Sequence, residues 1–399
     1  MVLGILSCSV YLKTTYRMRT NCYKRLGDYI REVDVRNRDL SVTTLLGVSI
    51  SKEFIPSIAN TIGTDMSTYK IVCKGQFAYG PVTSRNGDKV SIALLANEDD
   101  AIISQAYTVF EVKDTNELLP EYLMMWFRRP EFDRYARVHS HGSAREIFDW
   151  SEMSDVMLPI PSIERQREII SEYETLSKRI RLNEQMISTL EATAQTLYRK
   201  MFVDGIDKEN LPDGWRIGIL GDYAKVKSGY AFPSSWWQKD GIPVIKIGSI
   251  TNNSIEDCDY VSLNNGKHAV NYSANTGDIV IAMTGATLGK IAIVPKDGYL
   301  VNQRVGLFEL SEKQKAPFLY WTLQQDDIVN EILTVGGDSA QANVSNSDIE
   351  EIKLLYAPKE QLGTFNTYAG YLLSQIILKQ KANKKLTELQ SLLLARMGQ

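Results

Sequence analysis

The stretch "PSIERQREIISEYETLSKRIRLNEQMISTLEATAQTLYRKMF", Pro161–Phe202, decides the fold. Its apolar residues fall at Ile169, Tyr173, Leu176 and Ile180, then at Ile187, Leu190, Ala194, Leu197 and Met201. Steps of four and three alternate, which is the heptad seam of a helix that packs on another helix. Ser162 stands where a cap belongs, and Glu164 puts an acid in the first turn. About forty residues at ~1.5 Å each give a rod near 60 Å.

The same pattern returns 196 positions later. "LEATAQTLYRKMF" (Leu190–Phe202) falls on "LTELQSLLLARMG" (Leu386–Gly398). The second seam reads Phe365, Ala369, Leu372, Ile376, Asn383, Leu386, Gln390, Leu393 and Met397. Two equivalent rods in one chain point to an antiparallel pair about a pseudo-two-fold axis. The other reading lays each rod on the core of its own domain. Asn183 and Lys379 interrupt the seams at equivalent places, so an axis at mid-rod predicts that they meet and fix register, as a buried polar seam residue can. Alternatively, Lys379 extends its ammonium to water.

Working outward from the rods, the rest of the chain is also duplicated. "RLGDYI" (Arg25–Ile30) recurs as "ILGDYA" (Ile219–Ala224), and "SQAYTVFEV" (Ser104–Val112) as "NQRVGLFEL" (Asn302–Leu310). "GSAREIFDWSEM" from Gly142 recurs as "DSAQANVSNSDI" from Asp338. "GQFAYGPVTSRNGDKVSIAL" from Gly75 matches "GDIVIAMTGATLGKIAIVP" from Gly277, with Gly87 over Gly289. The latter superficially resembles a phosphate loop. A Walker loop needs four residues between its glycines and a Ser or Thr after the lysine; here there are three, and Ile291 follows Lys290. "KIAIVP" is β-branched and ends in proline, so the segment reads as a hairpin with a polar tip.

The expected fold class is therefore α+β, with two pseudo-repeated mixed α/β domains separated by two long helices forming an antiparallel coiled coil. The expected boundaries are an N-terminal extension over 1–22, a first domain over 23–161, the central helix over 162–203, a linker over 204–214, a second domain over 215–358 and a C-terminal helix over 359–399. The opening "MVLGILSCSVYL" lacks a basic leader and is too short to span a bilayer.

At 399 residues with a formal charge of −3, the chain has no global basic signature, so a nucleic-acid surface must be local. Cys8, Cys22, Cys73 and Cys258 are scattered without a CxxC pair, which suits reduced thiols in a cytoplasm. With His139, His141 and His268 they form no familiar zinc spacing, and neither a metal nor any other cofactor is expected. The two hairpin tips offer Arg85, Asn86 and Lys89 in the first half, and Thr284, Thr287 and Lys290 in the second. Further polar clusters supply His139, His141 and Arg145, and their partners Gln341 and Asn343. Lys225, Lys227, Tyr230 and Lys246 interleave basic and aromatic residues. Such side chains suit phosphate contact or base edges, Arg and Lys toward guanine and Asn or Gln toward adenine. Taken singly, each also fits a solvated loop. Trp236 and Trp237 read as packing residues, because duplex recognition leaves bases stacked.

"LPDGWRIGILGDYAKVKSGYAF", "GDIVIAMTGATLGKIAIVP", "LVNQRVGLFEL" and the C-terminal helix together resemble the specificity subunit of type I restriction–modification systems. The likeness covers nearly the whole chain. It implies two target-recognition domains that each read one half of an asymmetric, bipartite double-stranded DNA target. It also implies helices that dock two methyltransferase subunits, with endonuclease subunits that translocate DNA joining them. The chain itself shows no Asn-Pro-Pro-aromatic motif, no Walker motif and no Gly-x-Ser-x-Gly elbow, so it is expected to read while its partners act. The rival from another class is a coiled-coil scaffold whose globular domains bind proteins or small ligands.

Overall fold

A computed structural model describes residues 23–57, 63–84, 86–87, 89–142, 145–251, 253–337 and 342–398. The extension 1–22 with Cys8 and Cys22, and the candidates Arg85 and Gln341, lie outside the described residues. The chain divides into two units, one formed by 1–179 with 386–399 and the other by 180–385.

Each unit is built on a four-stranded antiparallel sheet with the same strand order. In the first unit the order is Ile30–Val33, Thr108–Val112, Phe77–Tyr79, Ile92–Leu94. In the second it is Ala224–Ser228, Val305–Leu310, Ile279–Ala282, Ile291–Ile293. The repeated "LGD" forms a 3₁₀ turn in both, Leu26–Asp28 and Leu220–Asp222, and the strand before it pairs with a strand late in the domain. Three helices follow the sheet in each unit: Pro120–Phe127, Pro130–Val138 and Trp150–Ser154, then Ala316–Thr322, Asp326–Gly336 and Asn346–Glu350.

The central strands are buried on both faces, and alternate residues go to different cores. Ile279 and Ile281 join the core under the helices, while Val280 and Ala282 join a second core on the opposite face. Phe77 and Tyr79 separate from Ala78 in the same way. This is the two-residue period of a strand carrying apolar groups on both sides. The second faces are where the units differ. In the first unit that layer has two strand pairs, Leu46–Val48 with Phe54–Pro56 and Lys70–Cys73 with Asp100–Ile103. In the second it is a five-stranded sheet with one parallel pair, Ile242–Ile245 beside Tyr299–Val301.

The two long helices run Ile163–Phe202 and Lys359–Arg396, and they pack together. Ser162 Oγ accepts the Arg165 N–H at 3.4 Å, capping the first of them. The seam positions are buried or half-buried throughout. In the second unit Phe365, Ala369 and Ala194 are fully buried, and the Phe365 ring meets Tyr198, Phe202 and Phe318 at centroid separations of 5.0–6.3 Å. There the helices serve both packing roles considered from the sequence, because the same residues touch the partner helix and the domain core. In the first unit Ile169, Leu394 and Met397 enter the core beneath the sheet.

The polar seam contact requires a correction. Asn183, 1% exposed, donates from Nδ2 to Asn383 Oδ1 at 2.7 Å, and Asn383 Nδ2 reaches the Ile180 carbonyl at 3.4 Å. The partner of Asn183 is thus Asn383, and the half-buried Lys379 comes opposite Ile187 in that register. Counted along the two helices from that bond, the residues 196 apart that fall at the same level are 185 and 381, so the pairing expected from the repeat is offset by two positions, about half a turn.

Candidate nucleic-acid interface

The hairpin tips are held by one device used twice. In the second unit the Gly285 N–H donates to the Ala342 carbonyl at 3.0 Å, and the Val344 N–H to the Met283 carbonyl at 3.0 Å. In the first unit the Thr83 N–H donates to the Glu146 carbonyl at 3.0 Å, and the Phe148 N–H to the Pro81 carbonyl at 2.8 Å. The four residues of one set are the repeat partners of the other four. Each tip is thereby laced to the loop that follows the second of the three helices, and isolated bridges mark the same spot, Val82 with Ile147 and Thr284 with Asn343. A third loop joins in the second unit, where the Met283 N–H donates to the Arg304 carbonyl at 3.0 Å. Pro81 has no N–H, so the first unit cannot make that bond.

Gly87 and Gly289 both take a left-handed backbone, with φ of 62° and 79°, which a side chain would oppose. Their equivalence therefore holds in the structure. The strands after them resume at Ile92 and Ile291, so the first tip carries three additional residues following its glycine. Lys89 lies in that insertion and has no counterpart in the second unit.

The structure brings some candidates together and ties others down. Thr284 and Asn343 meet: Thr284 Oγ1 donates to the Ala342 carbonyl at 3.0 Å, and Asn343 Oδ1 accepts from Arg304 Nη1 at 3.2 Å. Thr287 Oγ1 is buried with no hydrogen-bond partner among the described residues, while Lys290 is exposed. In the first tip Asn86 braces the loop, giving Nδ2 to the Val82 carbonyl at 3.2 Å. His139 stacks on Tyr135 with centroids 3.9 Å apart, and His141 Nε2 contacts Glu152 Oε1 at 3.1 Å. Arg145 is exposed.

Three lysine candidates of the second unit are engaged with carboxylates. Lys225 pairs with Glu350 at 3.0 Å, Lys227 with Glu309 at 3.3 Å, and Lys246 with Asp259 while lying 3.9 Å from the Trp237 ring centroid. Burial pushes the Glu350 carboxyl up, but the Val226 N–H at 2.8 Å and the Lys225 ammonium outweigh it and hold the group below its ordinary range. Tyr230 packs with Phe232, Trp236 and Tyr272, which places both it and Trp236 in an aromatic cluster.

A basic depression in the first unit escaped the sequence reading. Lys52, Lys89, Arg128, Arg134 and Arg137 line it together with Asp133. Lys52 is 5% exposed, bonds Asp133 at 2.8 Å and reaches the Phe127 carbonyl; burial pushes its ammonium pKa down. Its left-handed backbone, φ 65°, is unusual for a side-chain-bearing residue. The signal available was the run of arginines in "FRRPEFDRYARV", which folds into a helix that turns Arg134 and Arg137 to one side.

Two copies of one sheet-and-helix domain, each with the same laced hairpin, and two long helices that pack together mark a duplicated chain. The chain belongs to the family of the type I restriction modification DNA specificity domain, whose model matches residues 51–192 and 212–386. It is similar to the HindI type I restriction enzyme specificity subunit of Haemophilus influenzae, with 21% identity over 82% of this chain and 86% of the relative. It is also similar to the MjaIX specificity subunit of Methanocaldococcus jannaschii, with 24% identity over 70% and 68% of the two chains. Among solved structures, the type I restriction-modification S subunit from M. genitalium matches with a TM-score of 0.56 and 16% identity, covering 96% of this chain and 98% of that one. That likeness concerns the fold.

Proposed function

We propose that this chain is the DNA-reading, non-catalytic subunit of a type I restriction–modification complex, and that its two domains read the two halves of an asymmetric split target. The observation that carries the reading is the duplicated tip: the same backbone lacing holds different side chains at matched positions. One scaffold repeated with altered tips is what two unlike half-sites require, since phosphate contacts position a protein and base contacts specify sequence. The basic depression around Lys89, Arg134 and Arg137 supplies charge for phosphates in the first unit. The scaffold reading explains the paired helices but gives no role to the matched polar tips.

In this reading the spine sets the gap between half-sites, and two methyltransferase subunits dock along it, one per pseudo-repeat, with endonuclease subunits joining those. The work is done on DNA inside the cell. Modification of the adenines is the partners' chemistry; this chain contributes binding energy that places each partner over its half-site.

The test is to map methylated adenines genome-wide in the host with and without this chain. A motif of two short unlike blocks separated by unspecified bases should disappear with the chain. An unchanged pattern of methylation would remove the proposal.

A further inference from the structure

The lacing bonds allow the two tips to be compared residue by residue. The repeat puts Val82 where the second unit has Thr284, and Ile147 where it has Asn343, and the structure joins each couple by an equivalent bridge. The sheet register carries the comparison to a third residue. Ala282 pairs with Val305, so Met283 stands opposite Arg304, and the repeat that lays Ser104–Val112 on Asn302–Leu310 puts Ala106 where the second unit has Arg304. One spot is therefore built from Thr284, Arg304 and Asn343 in the second unit and from Val82, Ala106 and Ile147 in the first.

The chemistry of the two spots is opposed. In the second unit, Arg304 and Asn343 are exposed, and one N–H of the guanidinium is given to the Asn343 carbonyl oxygen at 3.2 Å. That bond orients a planar fork of five donors, whose natural acceptor pair on DNA is the O6 and N7 of guanine. The backbone beneath is fixed, because Met283 bonds the Arg304 carbonyl and Val344 bonds that of Met283. In the first unit the spot is wholly apolar. Ile147 is 40% exposed and Ala106 is exposed, on a backbone held by the Thr83 and Phe148 bonds, two of the three found in the second unit. On DNA, an exposed methyl surface offers nothing to a donor or acceptor and suits the thymine 5-methyl group.

Resting on the DNA-reading function proposed above, we infer that this matched spot is a specificity switch. Arg304, steered by Asn343, selects guanine in the half-site of the second unit. Ile147, with Val82 and Ala106, selects thymine in the half-site of the first. The difference between the half-sites then arises partly from an exchange of three polar residues for three apolar ones on a common backbone.

The experiment co-expresses the full chain with its methyltransferase subunits and reads the methylated motif by sequencing, for wild type, Arg304→Ala, Arg304→Gln and Ile147→Asn. Arg304→Ala should lower discrimination at one guanine of one block by roughly ten- to hundred-fold, with the other block intact. Arg304→Gln should move preference at that position toward adenine. Ile147→Asn should relax one thymine in the opposite block. The intact block in each variant reports that the chain is folded. An even loss across all positions would make Arg304 a phosphate contact and overturn the inference, as would an unchanged motif or changes from both sites in the same block. If the wild-type complex yields no split motif, the DNA-reading proposal itself fails, which is a separate result.

Discussion

At the scale of single residues, charge in this protein divides into groups tied into the fold and groups left exposed. Lys225, Lys227 and Lys246 looked in the sequence like candidates for DNA, yet each meets a carboxylate that sequence spacing does not reveal, far along the chain for Lys225 and Lys227. Glu350 is the most engaged of these acids, accepting the Val226 N–H and the Lys225 ammonium. Its carboxyl is held below the ordinary value, so in the folded state it stays ionised to lower pH than in the unfolded chain. Its contribution to stability is therefore present above the unfolded carboxylate pKa and is lost as pH falls through the folded one. Thermal unfolding of wild type and Glu350→Gln should differ most near neutral pH, and the gap should close below about pH 4.5. A gap that stayed constant with pH would show that the carboxylate charge is not what matters. Residue types alone also hid Lys52, whose burial beside Asp133 follows from a left-handed turn and a helix far from it in sequence.

At the scale of elements, the heptad seams were legible because a period of seven needs only spacing. The hairpins were legible because β-branched runs flank glycines whose left-handed backbone is required. Two details were not. The exact opposition of seam residues depends on where the pseudo-axis falls, and a shift of two positions gives Asn183 an asparagine partner in place of Lys379. The second layers of the domains include short strands with long-range pairing, Lys70–Cys73 with Asp100–Ile103 and one parallel pair, whose register no local pattern sets. The asparagine contact makes its own prediction. Asn183→Leu leaves the Asn383 amide without its main partner in the seam and should cost about 1–3 kcal/mol by chemical denaturation. Replacing both asparagines with leucine should restore or raise stability while permitting other registers, as apolar seams do. If the double variant were the least stable of the set, the pair would be worth more than its role in register.

At the scale of the whole molecule, duplication explains why one chain carries the same lacing twice with different tips. A modest net charge of −3 is consistent with local rather than general attraction to DNA. In the proposed function the two domains read two unlike blocks at an interval set by the paired helices. The most direct measurement takes the target motif of the assembled complex and varies only the number of bases between its blocks. Each added base pair moves one block about 3.4 Å along the duplex and about a tenth of a turn around it. Affinity should fall at least about ten-fold when one or two base pairs are added or removed, each mismatch in geometry costing on the order of a lost base contact. Equal affinity across all gap lengths would mean that the domains bind independently, and would contradict it.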